Sequence, residues 1–207
     1  MPRQPFLVIA ATILLAAACS GGTTDRTLSG TAAEIYDGQC AASAGSTVTI
    51  YSGRTENLIE PVLDAFACET GIEVAVRFGS STDLALLLAE EGEQTPADVF
   101  LSRSPGPVGF LEAEGLLGTI GSDVLDLVTT ENRSGNGSWI GFSGRKRVLV
   151  HNIDDVPTDQ LPDSIFDLTD ERYRDQVAIP ATNGSFVDWF TVFRDQLGTD
   201  VATAWLD

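Results

Sequence analysis

The chain has 207 residues, with 12 lysines and arginines against 30 aspartates and glutamates, a formal net charge of −18. So acidic a surface is repelled by phosphate backbones and anionic headgroups, which excludes nucleic-acid binding and attachment to a membrane by charge. A single histidine and three cysteines leave little for histidine- or cysteine-based metal or nucleophilic catalysis.

Taken from the amino terminus, Arg3 precedes an apolar stretch from Phe6 to Ala18, followed by Cys19. This is the pattern of an export signal. The stretch is shorter than the roughly 20 residues needed to cross a hydrocarbon core of about 30 Å, so a permanent membrane helix is the weaker reading. Ala16, Ala17 and Ala18 directly before Cys19 have the form of a lipoprotein processing site, with Cys19 as the lipidated first residue of the mature chain. Removing residues 1–18 leaves 11 basic against 30 acidic residues, net −19, so the lipid would supply the anchoring. Residues 19–45 are expected to be a flexible tether, because Gly, Ser and Thr dominate its first part. Cys40 and Cys68 remain as an even pair in an oxidising compartment; they form either a disulfide or two separate thiols.

From residue 46 on, β-branched runs alternate with amphipathic segments, the signature of an α/β fold. Strands are expected at 48–51, 72–78 and 98–102, and helices at 56–70 and 82–91. Leu58, Ile59, Val62, Leu63 and Phe66 supply the helical spacing, and Gly71 the stop. Strand, helix, strand, helix, strand implies a parallel sheet wound by right-handed crossovers, and ligands on such sheets sit at the carboxyl ends of the strands. Those ends read Ser52-Gly53-Arg54-Thr55, Gly79-Ser80-Ser81 and Ser102-Arg103-Ser104. Hydroxyls, glycine-exposed N–H groups and arginine forks are the donors an oxyanion requires. Thr55 and Ser81 serve equally well as helix caps, and that alternative stays open. Further along, Arg145, Lys146 and Arg147 form a basic triplet ahead of an expected strand at 148–151. A short strand at 177–180 precedes Thr182-Asn183-Gly184-Ser185, which opens an amphipathic helix with an anion-ready amino terminus.

Five segments carry a family resemblance: Thr49–Glu56, Thr70–Val74, Pro96–Phe100, Ser143–Arg145 and Thr182–Phe186. In order and spacing they resemble the bacterial periplasmic ferric-iron-binding proteins, from about Thr47 to the last residue. The resemblance implies a periplasmic-binding-protein-like, two-lobed α/β clam-shell of type II. It closes on iron(III), in company with carbonate or another synergistic anion, and passes the metal to an ABC transporter permease. It also implies a monomer, a first lobe over 46–144 and the opening of a second over 145–207. Relatives are longer, so the second lobe is expected to be incomplete here and the chain truncated at its carboxyl end. The candidate ligand-binding residues are then Ser52, Gly53, Arg54, Thr55, Ser80, Ser81, Arg103, Arg145, Asn183, Gly184 and Ser185.

The metal ligands depart from the family pattern. Thr55 stands where some relatives place a histidine, and Arg103 stands where they place a glutamate. Tyrosine positions fall on Glu56 and Phe186, and the adjacent tyrosine pair lies beyond residue 207. Glu56 alone could offer a hard oxygen, which leaves an anionic solute, phosphate-like or carboxylate, as the alternative ligand. An exported hydrolase is disfavoured, since His151 lies in an expected strand and no Gly-x-Ser-x-Gly or His-Glu-x-x-His motif occurs. The chain is therefore read as a binding protein and not an enzyme, without a catalytic cofactor.

Overall fold

The structure, a computed structural model, describes residues 26–207. The export signal and Cys19 lie outside the described residues. Within them, no helix is long and apolar enough to cross a membrane.

Three strands form one parallel sheet: β1 (Thr47–Ser52), β2 (Glu73–Phe78) and β3 (Val99–Leu101), in the order β2-β1-β3. Thr47 to Ser52 pair in register with Glu73 to Phe78, and Ile50 to Ser52 pair with Val99 to Leu101. The strand expected from residue 98 starts one residue later because Asp98 turns to other work. Its carboxylate accepts the Thr49 N–H at 2.8 Å while its own N–H reaches Thr49 O at 2.9 Å, closing the ladder with a side chain. Placed centrally, β1 buries Ile50, Tyr51 and Ser52. Successive strand residues face opposite sides, and Tyr51 packs with Leu84, Ala85 and Leu88 of α3 (Ser81–Glu91) and Leu111 of α4 (Pro105–Ala113). The Tyr51 hydroxyl donates to the Glu91 carboxylate, which also accepts from Thr95 at 2.8 Å, so the one polar tip in this cluster is satisfied.

Helix α2 (Glu56–Thr70) runs along β2 and is joined by the short helix α1 (Thr31–Ile35). Pro61 sits in its second turn, and Gly71 ends it with a left-handed φ of 72°. A side chain at Gly71 would also collide with the carbonyl of Ala42, which shows how closely the preceding segment is laid on the helix. Ala41 N–H donates to Cys68 O at 2.7 Å, Ala44 N–H donates to Gly71 O at 2.8 Å, and Cys40 and Cys68 are joined by a disulfide. Within the stretch 19–45 expected as a flexible tether, Thr31–Ile35 are thus helical, and Cys40, Ala41 and Ala44 are bonded to α2 and its capping Gly71.

Beyond α4, Glu112 organises the turn from Ser134 to Trp139. Its carboxylate accepts from Ser138 Oγ at 2.8 Å and from Trp139 Nε1 at 3.1 Å, while Arg133 and Ile140 form an antiparallel bridge. A single turn, α5 (Ser122–Leu125), packs nearby. The strands expected at 148–151 and 177–180 do not form. Their backbones find no ladder partner among the described residues, and Val148 and Val150 are 69% and 84% exposed. An isolated extended segment has nothing to satisfy its N–H and C=O groups except water. The expected helix after residue 182 does form, as α6 (Gly184–Leu197). It packs with α7 (Thr199–Leu206) around Phe166, Phe186, Trp189, Phe190, Phe193 and Trp205.

Two predictions follow from this packing. The disulfide closes a loop with a sequence separation of 28, which in the chain-entropy account is worth about 3–4 kcal/mol. Reduction, or Cys40→Ala with Cys68→Ala, is expected to lower unfolding free energy by roughly 2–4 kcal/mol in a denaturant titration. Hydrogen bonds from Ser138 and then Trp139 hold the Glu112 carboxyl below its ordinary pKa. A depressed folded-state value makes the stabilisation complete above the unfolded-state pKa and lost as pH falls through the folded one. The Trp139 indole N–H resonance should therefore shift in acid, and Glu112→Gln should reproduce that shift at neutral pH.

Candidate functional site

The carboxyl ends of β1 and β3 open onto a cleft of about 730 Å³, whose far side is built from residues 140–148 and one face of α6. Its position follows from the parallel sheet, which sends successive strand-to-helix turns to the same edge.

Hydroxyl groups at the strand ends shape those turns. Ser52, fully buried, accepts the Arg54 N–H on its Oγ at 3.2 Å. Ser81, also buried, accepts the Arg103 N–H at 2.9 Å. Ser102 accepts the Ser104 N–H and donates to Ser104 O. Gly53 N–H donates to Leu101 O at 2.8 Å, and a β-carbon at Gly53 would overlap the Ser81 hydroxyl. Only glycine permits the first and second strand ends to approach this closely. Ser80, not Ser81, caps α3 by accepting the Asp83 N–H at 3.0 Å. Thr55 occupies the cap position of α2 without a side-chain bond.

Arg54, Arg103 and Arg145 are thereby brought to one cleft, together with Lys146 and Arg147. Arg145 Nη2 reaches across to donate to Arg103 O at 3.0 Å. Arg147 Nη2 donates to Ser185 Oγ at 3.0 Å and its guanidinium lies 5.4 Å from the centre of the Phe186 ring, a cation–π arrangement. Among the described residues, none of the five cations forms an ion pair. Among the described residues, the single carboxylate on the lining is Asp188. A strongly acidic protein thus keeps five unpaired positive charges around one concavity, and the low-dielectric walls concentrate their field there.

Asn183 and Ser185 also line the cleft. Asn183 Oδ1 accepts from Ser185 N–H, Ser185 Oγ and Phe186 N–H, so the amino terminus of α6 is capped from within and its anion-binding capacity is partly used. Ser52, Gly53, Thr55, Ser80, Ser81 and Gly184 do not line the cleft. Of these, Ser52, Gly53 and Ser81 act behind it, holding the backbones of Arg54 and Arg103. Glu56, the sequence-based metal ligand, stands exposed in the first turn of α2 and is not among the cleft-lining residues. An acidic residue there complements the helix dipole. No group of three or more metal-ligating side chains occurs among the described residues. His151 turns its Nδ1 to Val156 O at 3.0 Å and serves a local turn. Asp188 and Trp189 also line the cleft, on the face of α6 that follows Ser185, and sequence marks Trp189 only as part of an apolar helical stripe and Asp188 not at all.

Comparison with known proteins places this geometry in a family. Residues 94–206 match the family described as bacterial extracellular solute-binding protein. The Fe(3+)-binding periplasmic protein of Serratia marcescens is 31% identical over 169 residues, covering 82% of this chain and 50% of the relative. The major ferric iron-binding protein of Neisseria gonorrhoeae is 28% identical over 173 residues, covering 80% and 51%. Among solved structures, iron-bound HitA from Pseudomonas aeruginosa superposes with a TM-score of 0.75 at 34% identity, covering 78% of this chain and 53% of that one. A Trichodesmium protein in complex with iron and citrate gives 0.66 at 26%, covering 78% and 51%. The chain therefore spans about half the length of the curated relatives it matches. With its α/β periplasmic-binding-protein fold and its cationic cleft at the strand ends, the chain belongs to the bacterial extracellular solute-binding proteins, binders and not enzymes, among relatives that are ferric-iron-binding.

Proposed function

We propose that this protein captures ferric iron together with a synergistic anion outside the cytoplasm and hands it to an ABC transporter permease. Residues 46–144 form the first lobe in this reading and residues 145–207 begin the second. The carrying observation is the cleft itself: Arg54, Arg103, Arg145, Lys146 and Arg147 face one carboxylate in a chain of net charge −18. Such a site recognises an anion first, since each charge-assisted hydrogen bond to an oxyanion is worth about 1.5–3 kcal/mol. Iron as the cargo is supported by the similar ferric-iron-binding proteins and by the Trichodesmium neighbour solved with iron and citrate. Iron(III) prefers hard oxygen donors, and here the anion's own oxygens would supply them. Closure would be driven by contacts the ligand makes with both walls at once, from Arg54 and Arg103 on one and Arg145 and Arg147 on the other.

A second reading, an anionic solute without metal, is favoured by one observation: among the described residues the cleft lining presents five cations and one carboxylate. Calorimetric titration with citrate, carbonate, and iron(III) with and without either anion distinguishes the two. Iron uptake only in the presence of the anion is the expected result; anion binding indifferent to iron would establish the second reading, and no binding would reject both. Replacing Arg54 or Arg145 by Ala should weaken iron(III) citrate binding about tenfold or more, corresponding to roughly 1.5–3 kcal/mol, with a shallower dependence on salt.

The apolar stretch before Cys19 supports anchoring at the membrane surface by a lipid on that cysteine. Expressed in a bacterium fed labelled palmitate, the protein should carry label and sediment with membranes. Cys19→Ala should abolish the label and release the protein to the soluble exported fraction.

A further inference from the structure

Asp188 is the one carboxylate on a cleft lined by five cations, yet among the described residues it forms no ion pair with any of them. Its Oδ2 is buried and has no hydrogen-bond partner. Nearly all buried polar atoms in folded proteins are paired, so an unpaired carboxylate oxygen beside a binding cleft calls for a physical explanation. Its placement is enforced from two sides. Asp188 lies in the second turn of α6, just beyond the Asn183 cap. Across from it, Gly106 in the first turn of α4 presents a bare Cα, where a β-carbon would come within 2.7 Å of Asp188 Oδ1. The positive end of α4 makes the carboxylate tolerable there without neutralising it.

We propose that Asp188 is a selectivity determinant of the cleft. It makes the site reject fully ionised oxyanions and accept anions that bring a positive centre or an acidic proton with them. The inference rests on the anion-cleft reading given above and adds to it the class of anion. Sulfate offers acceptors only; it gains from the arginines but meets Asp188 as like charge with nothing to share. A metal–carboxylate chelate presents its cation to the carboxylate, and hydrogen phosphate presents an O–H. Both supply the partner that Asp188 lacks. In a site of reduced dielectric one unscreened charge within a few ångströms is enough to reorder affinities, and a repulsive group against the competitor is half of any discrimination.

The test is calorimetric titration of the purified chain with sodium sulfate, with phosphate at neutral pH and with iron(III) citrate, repeated on Asp188→Asn and Asp188→Ser. The wild-type protein should bind phosphate or iron(III) citrate at least about tenfold more tightly than sulfate. Comparison of those two ligands tells whether the proton or the metal is the partner. Both variants should gain about tenfold in sulfate affinity and lose the preference, with circular dichroism and thermal unfolding checking that they fold. A wild-type chain that binds sulfate as well as the other two overturns the inference, whatever the variants do. So does unchanged sulfate affinity in a folded variant, which leaves the anion cleft standing. Failure of the wild-type chain to bind any of the three overturns the anion cleft and this inference together.

Discussion

The close approach of Gly53 to Ser81 is the constraint on which the cleft depends. Because residue 53 has no side chain, the Ser81 hydroxyl can lie against it at the convergence of the strand ends and accept the Arg103 N–H. Ser52 does the same for Arg54 from within its own turn. These buried hydroxyls do not line the cleft. They fix two backbone segments whose long cationic side chains then extend into the cleft, and Arg145 closes the chain of contacts by bonding the Arg103 carbonyl. A rigid backbone behind flexible side chains reduces the ordering cost of binding.

Charge distribution carries the functional reading further than any single contact. Arginines gathered around a concavity would repel one another without a counter-charge, and in this chain abundant carboxylates are held elsewhere: Glu91 by Tyr51, Glu112 by Ser138 and Trp139, Asp98 by the β1 backbone. Each of those acids is occupied with structure, which leaves the cleft cations unneutralised. Asp188 is the carboxylate that does line the cleft, and its Oδ2 has no hydrogen-bond partner.

Much of this was legible in the chain of residues. The β1–α2–β2–α3–β3 unit follows from periodicity, from Gly71 as a stop and from β-branched runs, because local steric preference and burial agree there. Arg54, Arg103 and Arg145 were identifiable from strand-end position and from their rarity in an acidic chain. The segments around 148–151 and 177–180 misled because their composition favours strands, whereas a strand needs a neighbour to bond with, and composition says nothing of neighbours. Residues 31–45 misled in the opposite way. The small polar residues before them suggested a tether running on to residue 45, yet the disulfide and two backbone hydrogen bonds hold residues 40–44 to α2 and Gly71.

By itself, then, the sequence determined the α/β class, the parallel winding of the first three strands and the excess of cations at their ends, since each depends on spacing within one segment or on the composition of the whole. Which hydroxyls were scaffolding, where Glu56 stood relative to the cleft, and how an unpaired Asp188 came to face Gly106 were decided only by the tertiary structure. Those are distances between residues far apart in the chain, set by packing, and no local pattern of residue types encodes them.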